Sequence, residues 1–460
     1  MNVVTELETE SRSGATKVPA GFLGTRPIRT QLAKRLSTVA NASLQNPDSG
    51  VHGEYAVALL LDAIQARASD IHVEPLGNTA RVRIRIDGSL SDVAELSAET
   101  GKILSNQIKS LAGLDPIVRF TPKDSHYHFH GYGEDVDLRI AVAPGQIGEA
   151  LSIRLLDPRR LERSVDNLGL SDQNLTQIES WLENVSGMFL AAGPTGSGKT
   201  TTLYGLLHRL NSTDKRIVTI EDPVEYAVPG LTQIQLDEKH HLSFAEGVKA
   251  VLRLDPDLVM LGEVRDGASA HAAVDAAITG RVLLSTIHSH DAVGAITALR
   301  NWGLPDHEIA ESLSVVVAQR LVRRLCEHCK TSTRPTQPEI DWLRALELDV
   351  PKELWVPKGC DRCSGIGYFG RTGIFELWHL SEGDYEMIMA GAHEHALRKH
   401  LQRCGHTTLL QDAMLKLRAG ITTLAEVKRA SPGMFQQVSP AIQSAQCTAN
   451  NQSERKLYEN

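Results

Sequence analysis

The sequence is short of aromatic residues and of net positive charge. Phe, Trp and Tyr make up 5% of its 460 residues, and the formal net charge is −8. A nucleic-acid-binding face is normally basic and often carries aromatic side chains on which bases stack. These shortages therefore argue against nucleic acid as the main ligand.

Long apolar runs are also missing. No run approaches the roughly 18 residues that a membrane-spanning helix needs. The N-terminus carries Glu6, Glu8 and Glu10 where a signal peptide would have an apolar core. We therefore expect a cytoplasmic protein whose membrane contact is indirect.

Cysteine is scarce, with six in the chain, but four of the six form two C-x-x-C pairs: Cys326 with Cys329, and Cys360 with Cys363. Each pair can chelate from a tight turn, and four thiolates satisfy tetrahedral Zn²⁺. The pattern therefore predicts a zinc site. The loop between the pairs is longer than in common zinc modules, and a redox dithiol, which needs a single pair, is the alternative.

A chain of this length is expected to contain two or three domains. Segments rich in Ser, Asn and Gln at both ends lack periodicity and predict disorder. The predicted organisation is a largely disordered segment 1–50, an N-terminal α/β domain 51–157, a linker 158–168, a nucleotide-binding domain 169–431 that includes a cysteine module 326–363, and a disordered tail 432–460.

Within the N-terminal domain, alternation of residue types predicts strands. Arg81–Ile86 alternates arginine with aliphatic residues, so its arginines share one face. His126, His128 and His130 alternate in the same way with aromatic residues. Three imidazoles on one strand face can bind a metal, but the pattern shows no carboxylate partner. We therefore interpret the histidines as a polar sheet face and not as ligands.

Gly193–Thr200 fits the G-x-x-x-x-G-K-[ST] phosphate-loop pattern, with an apolar strand, Met188–Ala192, before it and a helical pattern, Thr201–Leu210, after it. Its glycines let successive N–H groups point at one anion at the start of a helix. Lys199 is expected on the β- and γ-phosphates and the Thr200 hydroxyl on Mg²⁺. The predicted nucleotide-binding residues are Gly193, Pro194, Thr195, Gly196, Ser197, Gly198, Lys199, Thr200 and Thr201.

After this loop, strand and helix patterns alternate, which predicts a mostly parallel sheet covered by helices. Polar residues follow three of these strands: Glu221, Glu263 and His288. Ligand sites in such sheets lie at the carboxyl ends of strands. ATP hydrolysis needs a carboxylate that orients or deprotonates water, and Mg²⁺ needs oxygen ligands. We expect Glu263 near the water or the metal, Glu221 as a second candidate, and His288 as a sensor of the γ-phosphate.

Four stretches of the chain together resemble the secretion and type IV pilus assembly ATPases of bacteria. They are the phosphate loop extended to Tyr204, an acidic box at Thr219–Tyr226, a Walker B region at Leu252–Asp266 and a histidine box at Thr279–His288. The resemblance spans about residues 50 to 430. Two positions depart from the family pattern, Arg281 and Lys249, and the second keeps the charge but not the planar fork of arginine.

This resemblance implies an α/β fold: a RecA-like P-loop core, an N-terminal α+β domain that is PAS-like, and a Cys₄ zinc-binding insertion. It implies a homo-hexamer with ATP between the two domains. Glu263 corresponds to the Walker B glutamate and Glu221 to the acidic-box glutamate. Arg139 and Arg154 would reach the phosphates from the N-terminal domain, and Arg253 would be a further arginine on the phosphate side.

The function implied is hydrolysis of ATP, with Mg²⁺ and Zn²⁺ as further cofactors, to power assembly of (pseudo)pilin filaments and protein export. The partner would be an inner-membrane platform protein, which would place a cytoplasmic enzyme at the periphery of the inner membrane. The alternative is a nucleic-acid-translocating RecA-like motor with a zinc ribbon. That alternative predicts a basic channel and salt-dependent binding.

Overall fold

The computed structural model describes residues 54–118, 121–131, 133–157, 164–236 and 244–430. The predicted disordered segments, 1–50 and 432–460, lie outside these residues, as does the first half of the predicted linker. The chain forms two compact units. Of the described residues, the first unit contains those up to 157 together with Cys326–Cys329 and Lys358–Gly370, and the second unit contains the others. Among the described helices, none is both long enough and apolar enough to cross a membrane.

The first unit is an antiparallel sheet with helices on one face. Its strands lie in the order β3-β2-β1-β6-β5-β4, and every neighbouring pair is antiparallel. The elements are α1 (Glu54–Gln65), β1 (Ala68–Pro75), β2 (Thr79–Ile86), β3 (Ser89–Ser97), α2 (Ala98–Leu111), β4 (Lys123–Gly131), β5 (Glu134–Pro144) and β6 (Glu149–Leu156).

The predicted alternation on β2 is confirmed. Val82 and Ile84 are buried in the core of the first unit, whereas the arginines between them lie on the other face. There Glu74 forms ion pairs with Arg81 and Arg83. The polar face of this sheet is therefore a network of paired charges.

The second unit is built on a seven-stranded sheet in the order β15-β12-β7-β11-β10-β8-β9, in which every pair from β12 to β9 is parallel. Its strands are β7 (Met188–Ala192), β8 (Ile217–Glu221), β9 (Thr232–Gln235), β10 (Leu258–Leu261), β11 (Val282–Ile287), β12 (Leu313–Leu325) and β15 (Tyr368–His379), and β13 (Thr331–Thr333) pairs separately with β14 (Leu354–Val356).

Helices pack around this sheet. They are α3 (Asp172–Glu183), α4 (Lys199–Leu210), α5 (Phe244–Val251), α6 (Gly267–Ile278), α7 (Ala292–Asn301), α8 (Asp306–Ser312), α9 (Gln337–Ala345), α10 (Glu382–Met389), α11 (Glu394–Arg403), α12 (Leu409–Arg418) and α13 (Leu424–Ala430). The mostly parallel sheet predicted from the sequence is confirmed. Strand β12, which lies beside β7, was not predicted.

Candidate functional site

The phosphate loop connects β7 to α4, and its backbone requires glycine. Gly196 and Gly198 have φ angles of 76° and 91°, in the left-handed region that other residues rarely adopt. A Cβ atom on Gly193 would lie 2.6 Å from the carbonyl oxygen of Gln319. Helix α4 begins at Lys199, two residues before the helical pattern predicted from the sequence. The loop thus turns directly into a helix N-terminus, a favourable place for an anion.

The ammonium of Lys199 lies within the loop. Its Nζ donates hydrogen bonds to the carbonyl oxygens of Gly193, at 2.7 Å, and Pro194, at 3.2 Å. Burial lowers the pKa of Lys199 to about 8, against the opposing effect of the Glu263 carboxylate. The charge of this lysine therefore depends on pH close to neutrality.

Nucleotide affinity is expected to fall as pH rises through this pKa. Above about pH 8 the free protein holds a neutral Lys199, and a triphosphate must bring a proton with it to restore the ammonium. Between pH 7 and pH 9 the affinity should fall about 10-fold, because the charged fraction drops about tenfold per unit above the pKa. Calorimetric titration of an ATP analogue in two buffers of different ionisation enthalpy should show proton uptake at pH 9. Equal affinity at both pH values without proton uptake would contradict the assignment.

Strand β12 supports the phosphate loop through hydrogen bonds of Gln319, a residue that the sequence did not identify as part of the site. The Gln319 amide donates to the carbonyl oxygen of Ser197 at 2.9 Å and accepts a hydrogen bond from the Thr202 hydroxyl at 2.8 Å. Both Gln319 and Thr202 are buried. The one available signal in the sequence is a Gln-Arg pair that interrupts an apolar run, Val315–Ala318.

Removing this brace should weaken nucleotide binding. Gln319→Leu leaves the Ser197 carbonyl without this donor, and leaves the buried Thr202 hydroxyl with only a longer hydrogen bond, 3.4 Å, to the Gly198 carbonyl oxygen. A buried group left unsatisfied costs about 1–3 kcal/mol. We expect the affinity for an ATP analogue to fall at least about 10-fold in calorimetric titration. Gln337→Leu, on the exposed start of α9, is the matched control. Equal affinities in the two variants would show that the brace is unimportant.

Glu221, the last residue of β8, is buried, and both of its carboxylate oxygens accept hydrogen bonds. It accepts hydrogen bonds from the Tyr204 hydroxyl at 2.5 Å, the Thr219 hydroxyl at 2.6 Å and the Gln233 amide at 3.2 Å. Burial and the adjacent carboxylate raise the pKa of Tyr204 well above its ordinary value, so this phenol stays a donor. Three chain segments thus hold Glu221 in one orientation at the strand end.

Glu263 follows β10 and lies between His288 and Arg265. Its Oε1 is 2.7 Å from His288 Nε2, and its Oε2 accepts a hydrogen bond from Arg265 Nε at 3.0 Å. Arg265 also reaches Asp222 at 3.1 Å. The structure therefore brings together two predicted site residues, Glu263 and His288, and adds Arg265. The alternation of strands and helices predicts where Glu263 and His288 lie but gives no indication of Arg265.

These groups line one cleft of about 360 Å³ in the second unit. Its walls include Lys199, Glu221, Glu263, His288 and Arg371. The cleft combines an ammonium, a helix N-terminus and carboxylates, a set of groups that suits a triphosphate and its reacting water.

Two of the predicted arginines belong to the first unit, and the third belongs to the second. Arg139 and Arg154 are directly opposite each other on β5 and β6 of the first unit, where Arg154 Nε is 3.2 Å from Asp70. Arg253 is exposed in the turn before β10, at the amino end of that strand, and is not among the residues that line the cleft. The roles of these arginines stay predictions.

The four paired cysteines form one cluster in the first unit. Sulfur–sulfur distances are 3.8 Å for Cys326 to Cys360, 3.8 Å for Cys329 to Cys363, and 3.7 Å for Cys360 to Cys363. Four sulfurs bound at about 2.3 Å to a tetrahedral Zn²⁺ ion lie about 3.8 Å apart. The spacing matches zinc and is far longer than the roughly 2.05 Å of a disulfide.

Comparison with known proteins shows the family to which this chain belongs. A sequence profile described as "Type II/IV secretion system protein" matches residues 46–429. The chain belongs to this family. It is 38% identical over 372 residues, 81% of its own length and 74% of the relative, to the type II secretion system ATPase E of Vibrio cholerae. It is also 38% identical to the type IV pilus assembly ATPase PilB of Myxococcus xanthus, covering 80% of this chain and 66% of that one.

Solved structures show the same fold. The Legionella pneumophila ATPase DotB superposes with a TM-score of 0.59 at 21% identity, over 83% of this chain and 97% of that one. The family and its named members identify the chain as an ATPase of the secretion and pilus-assembly class. This agrees with the main expectation from the sequence and not with a nucleic-acid motor.

Proposed function

We propose that the protein hydrolyses ATP at the Gly193–Thr200 loop to power assembly of (pseudo)pilin filaments and protein export by a type II secretion or type IV pilus machine. The observation that carries this proposal is the cleft that Lys199 and Glu263 both line, with His288 2.7 Å from the Glu263 carboxylate. The named relatives from Vibrio cholerae and Myxococcus xanthus support the two candidate machines.

The residues of the cleft fit a Mg²⁺-bound triphosphate. Ser197 Oγ is buried without a hydrogen-bond partner among the described residues, inside a loop that faces the cleft. Lys199 and the loop N–H groups would hold the β- and γ-phosphates, and the Thr200 hydroxyl would bind Mg²⁺, which neutralises charge on the phosphate oxygens when bound. Glu263 would orient the attacking water, and His288 would report the γ-phosphate to Glu263 through their hydrogen bond. Glu221 would support the metal shell.

The cysteine cluster is proposed as a structural zinc site. Cys326, Cys329 and Cys363 are buried, and a buried thiolate needs a cation beside it. Four protein ligands close a zinc coordination shell, which is the arrangement of structural and not catalytic zinc. The ion would tie Cys326–Cys329 to Lys358–Gly370 within the first unit.

We also propose that the protein works as a homo-hexamer that acts on an inner-membrane platform protein from the cytoplasmic side. Residues 51–157 would serve as the PAS-like N-terminal domain of the family. Arg139 and Arg154 would then reach a nucleotide bound to the second unit, and Arg253 would act on the phosphate side.

A shared site can be tested by mixing variants. Arg139→Ala alone should lower ATP turnover, because it removes a positive charge that would stabilise the negative charge developing on the phosphate. Mixed rings of Arg139→Ala and Lys199→Ala subunits should recover some turnover only if each site draws residues from two subunits. Steady-state ATPase assays across mixing ratios distinguish a site formed within one subunit from a site shared by two. Full turnover by Arg139→Ala alone would remove the role assigned to this arginine.

The biological function can be tested in the source strain. Replacing the chromosomal copy with Lys199→Ala should abolish display of pili or export of secreted proteins while the protein remains at its normal level in immunoblots. Normal pili and normal export in that strain would contradict the proposed function. ATPase activity stimulated by single-stranded DNA, and not by platform protein, would also contradict it.

A further inference from the structure

The outer face of the β4–β5 hairpin carries imidazoles opposite carboxylates. His128 and His130 lie on β4, and the strand register pairs them with Asp137 and Asp135 on β5. Directly opposed residues of an antiparallel pair have Cβ atoms about 4.5–5.5 Å apart. The carboxylate partners that the histidine pattern lacks in the sequence are therefore supplied by the neighbouring strand. None of these four residues is among those that line the cleft or form the cysteine cluster.

Three of these side chains converge. His128 Nε2 is 2.8 Å from Asp135 Oδ1, and His130 Nδ1 is 3.8 Å from Asp135 Oδ2. One ligand atom from each residue lies within 4.8 Å of the other two. The two imidazole rings are nearly parallel, at 10°, with centroids 6.4 Å apart. The hairpin thus presents two nitrogen ligands and a carboxylate to one point in space.

Asp137 orients the first imidazole. Its Oδ1 is 2.7 Å from His128 Nδ1, so an Nδ1–H can donate to this carboxylate while Nε2, which lies 2.8 Å from Asp135, binds an ion once that second contact opens. Metal-binding histidines usually donate their other N–H to a carboxylate or carbonyl, which fixes the tautomer and raises ligand basicity. Asp137 is the supporting group that the sequence pattern alone did not reveal.

We propose that His128, His130 and Asp135 bind one exchangeable divalent ion of the first transition row, with Zn²⁺ as the test ion. Two imidazoles and one carboxylate suit Zn²⁺, Co²⁺, Ni²⁺ and Cu²⁺ better than Mg²⁺ or Ca²⁺. Zinc bonds of about 2.1 Å in a tetrahedron place neighbouring ligand atoms about 3.4 Å apart. The distance between His128 Nε2 and Asp135 Oδ1, now 2.8 Å, must therefore lengthen when the ion binds.

That adjustment needs no change in the backbone. The side chains of His128, His130 and Asp135 are 57%, 67% and 65% exposed, so rotation of Asp135 is enough. Solvent would fill the remaining coordination position. The ion would link the two strands of a hairpin whose β4 strand is the edge of the sheet.

The competing arrangement is a set of plain His–Asp ion pairs that bind no metal, and zinc titration decides between them. The full chain is first loaded with Zn²⁺ at the cysteine cluster and passed over a desalting column, and is then titrated with Zn²⁺ in a calorimeter. We expect about one additional ion per chain in the wild type. A parallel Cu²⁺ sample should show imidazole nitrogen couplings in its electron paramagnetic resonance spectrum. No additional ion and no such couplings would overturn the proposal.

Variants locate the site, with an internal control on the same strand. His128→Gln and His130→Gln should each lose the additional ion, whereas His126→Gln, exposed on the same face, should keep it at wild-type affinity. Asp137→Asn should weaken binding about 10- to 100-fold, the usual cost of losing a supporting carboxylate. Thermal melts check that each variant is folded. Equal loss in His126→Gln, or unchanged affinity in His128→Gln, would overturn the assignment.

Discussion

Glu263→Gln should abolish most ATP turnover while leaving ATP binding almost unchanged. Glutamine has the same shape and can still contact His288 and Arg265, but it cannot accept a proton or carry the charge that polarises water. The contribution of such a group to the rate is typically about 10²–10⁴-fold. We therefore expect kcat to fall by that range, with the affinity for an ATP analogue within about twofold of wild type because Lys199 and the loop are intact.

Two measurements separate these effects. Steady-state phosphate release gives kcat, and calorimetric titration with a non-hydrolysable analogue gives affinity. Glu386→Gln, the same substitution on an exposed turn of α10, should behave as wild type in both. Wild-type turnover in Glu263→Gln would remove this carboxylate from the chemistry. Loss of binding instead of turnover would move it from the chemical step to the binding of nucleotide and metal.

Cys329→Ser should lose zinc and destabilise the cysteine segments of the first unit. Cys329 is buried, and its sulfur lies 3.8 Å from Cys363, so a serine hydroxyl leaves an incomplete and poorly matched shell. Apparent binding free energies of structural zinc reach about 10–16 kcal/mol in small modules, and loss of the ion removes that contribution to folding. We expect sub-stoichiometric zinc by elemental analysis and a lower melting temperature.

The control for this variant is Cys404→Ser, which changes an exposed cysteine outside the cluster. It should retain zinc and the wild-type melting temperature. A chelator strong enough to strip the wild type should reproduce the Cys329→Ser melt, and added Zn²⁺ should reverse it in the wild type alone. Full zinc content in Cys329→Ser would contradict the ligand role of Cys329, and a disulfide between the paired cysteines of the purified protein would favour the redox alternative.

The phosphate loop was predictable because its signals are local. A glycine pattern of fixed spacing lies between an apolar run and a helical repeat, and Met188–Ala192 is a strand with the predicted bounds. The polar residues at the strand ends followed from topology, since parallel strands present their carboxyl ends together. Glu263 and His288 meet for that reason.

Strand β12 escaped prediction because buried strands of parallel sheets lack alternation. Its thirteen residues, Leu313–Leu325, combine an apolar run with polar and basic residues and show no clear period. Gln319 was therefore not assigned to the loop that it supports. The contact lies 122 residues away from Ser197 along the chain, a separation that no local pattern encodes.

The burial of charged residues was also not predictable from the sequence. Lys109 lies on α2 among polar residues, yet its side chain is fully buried and its Nζ donates to the Glu149 carboxylate at 2.8 Å and to the carbonyl oxygens of Pro116 and Val118. The partners come from a loop and a distant strand. Likewise the carboxylates opposite His128 and His130 become visible only once the register of β4 and β5 is known.

The most direct test of the account is nucleotide binding by the loop. Calorimetric titration of the full chain with Mg²⁺ and a non-hydrolysable ATP analogue should show saturable binding in the wild type and none in Lys199→Ala, with both proteins folded by circular dichroism. Absence of binding in the wild type, or equal affinity in Lys199→Ala, would contradict the claim that this loop holds the triphosphate.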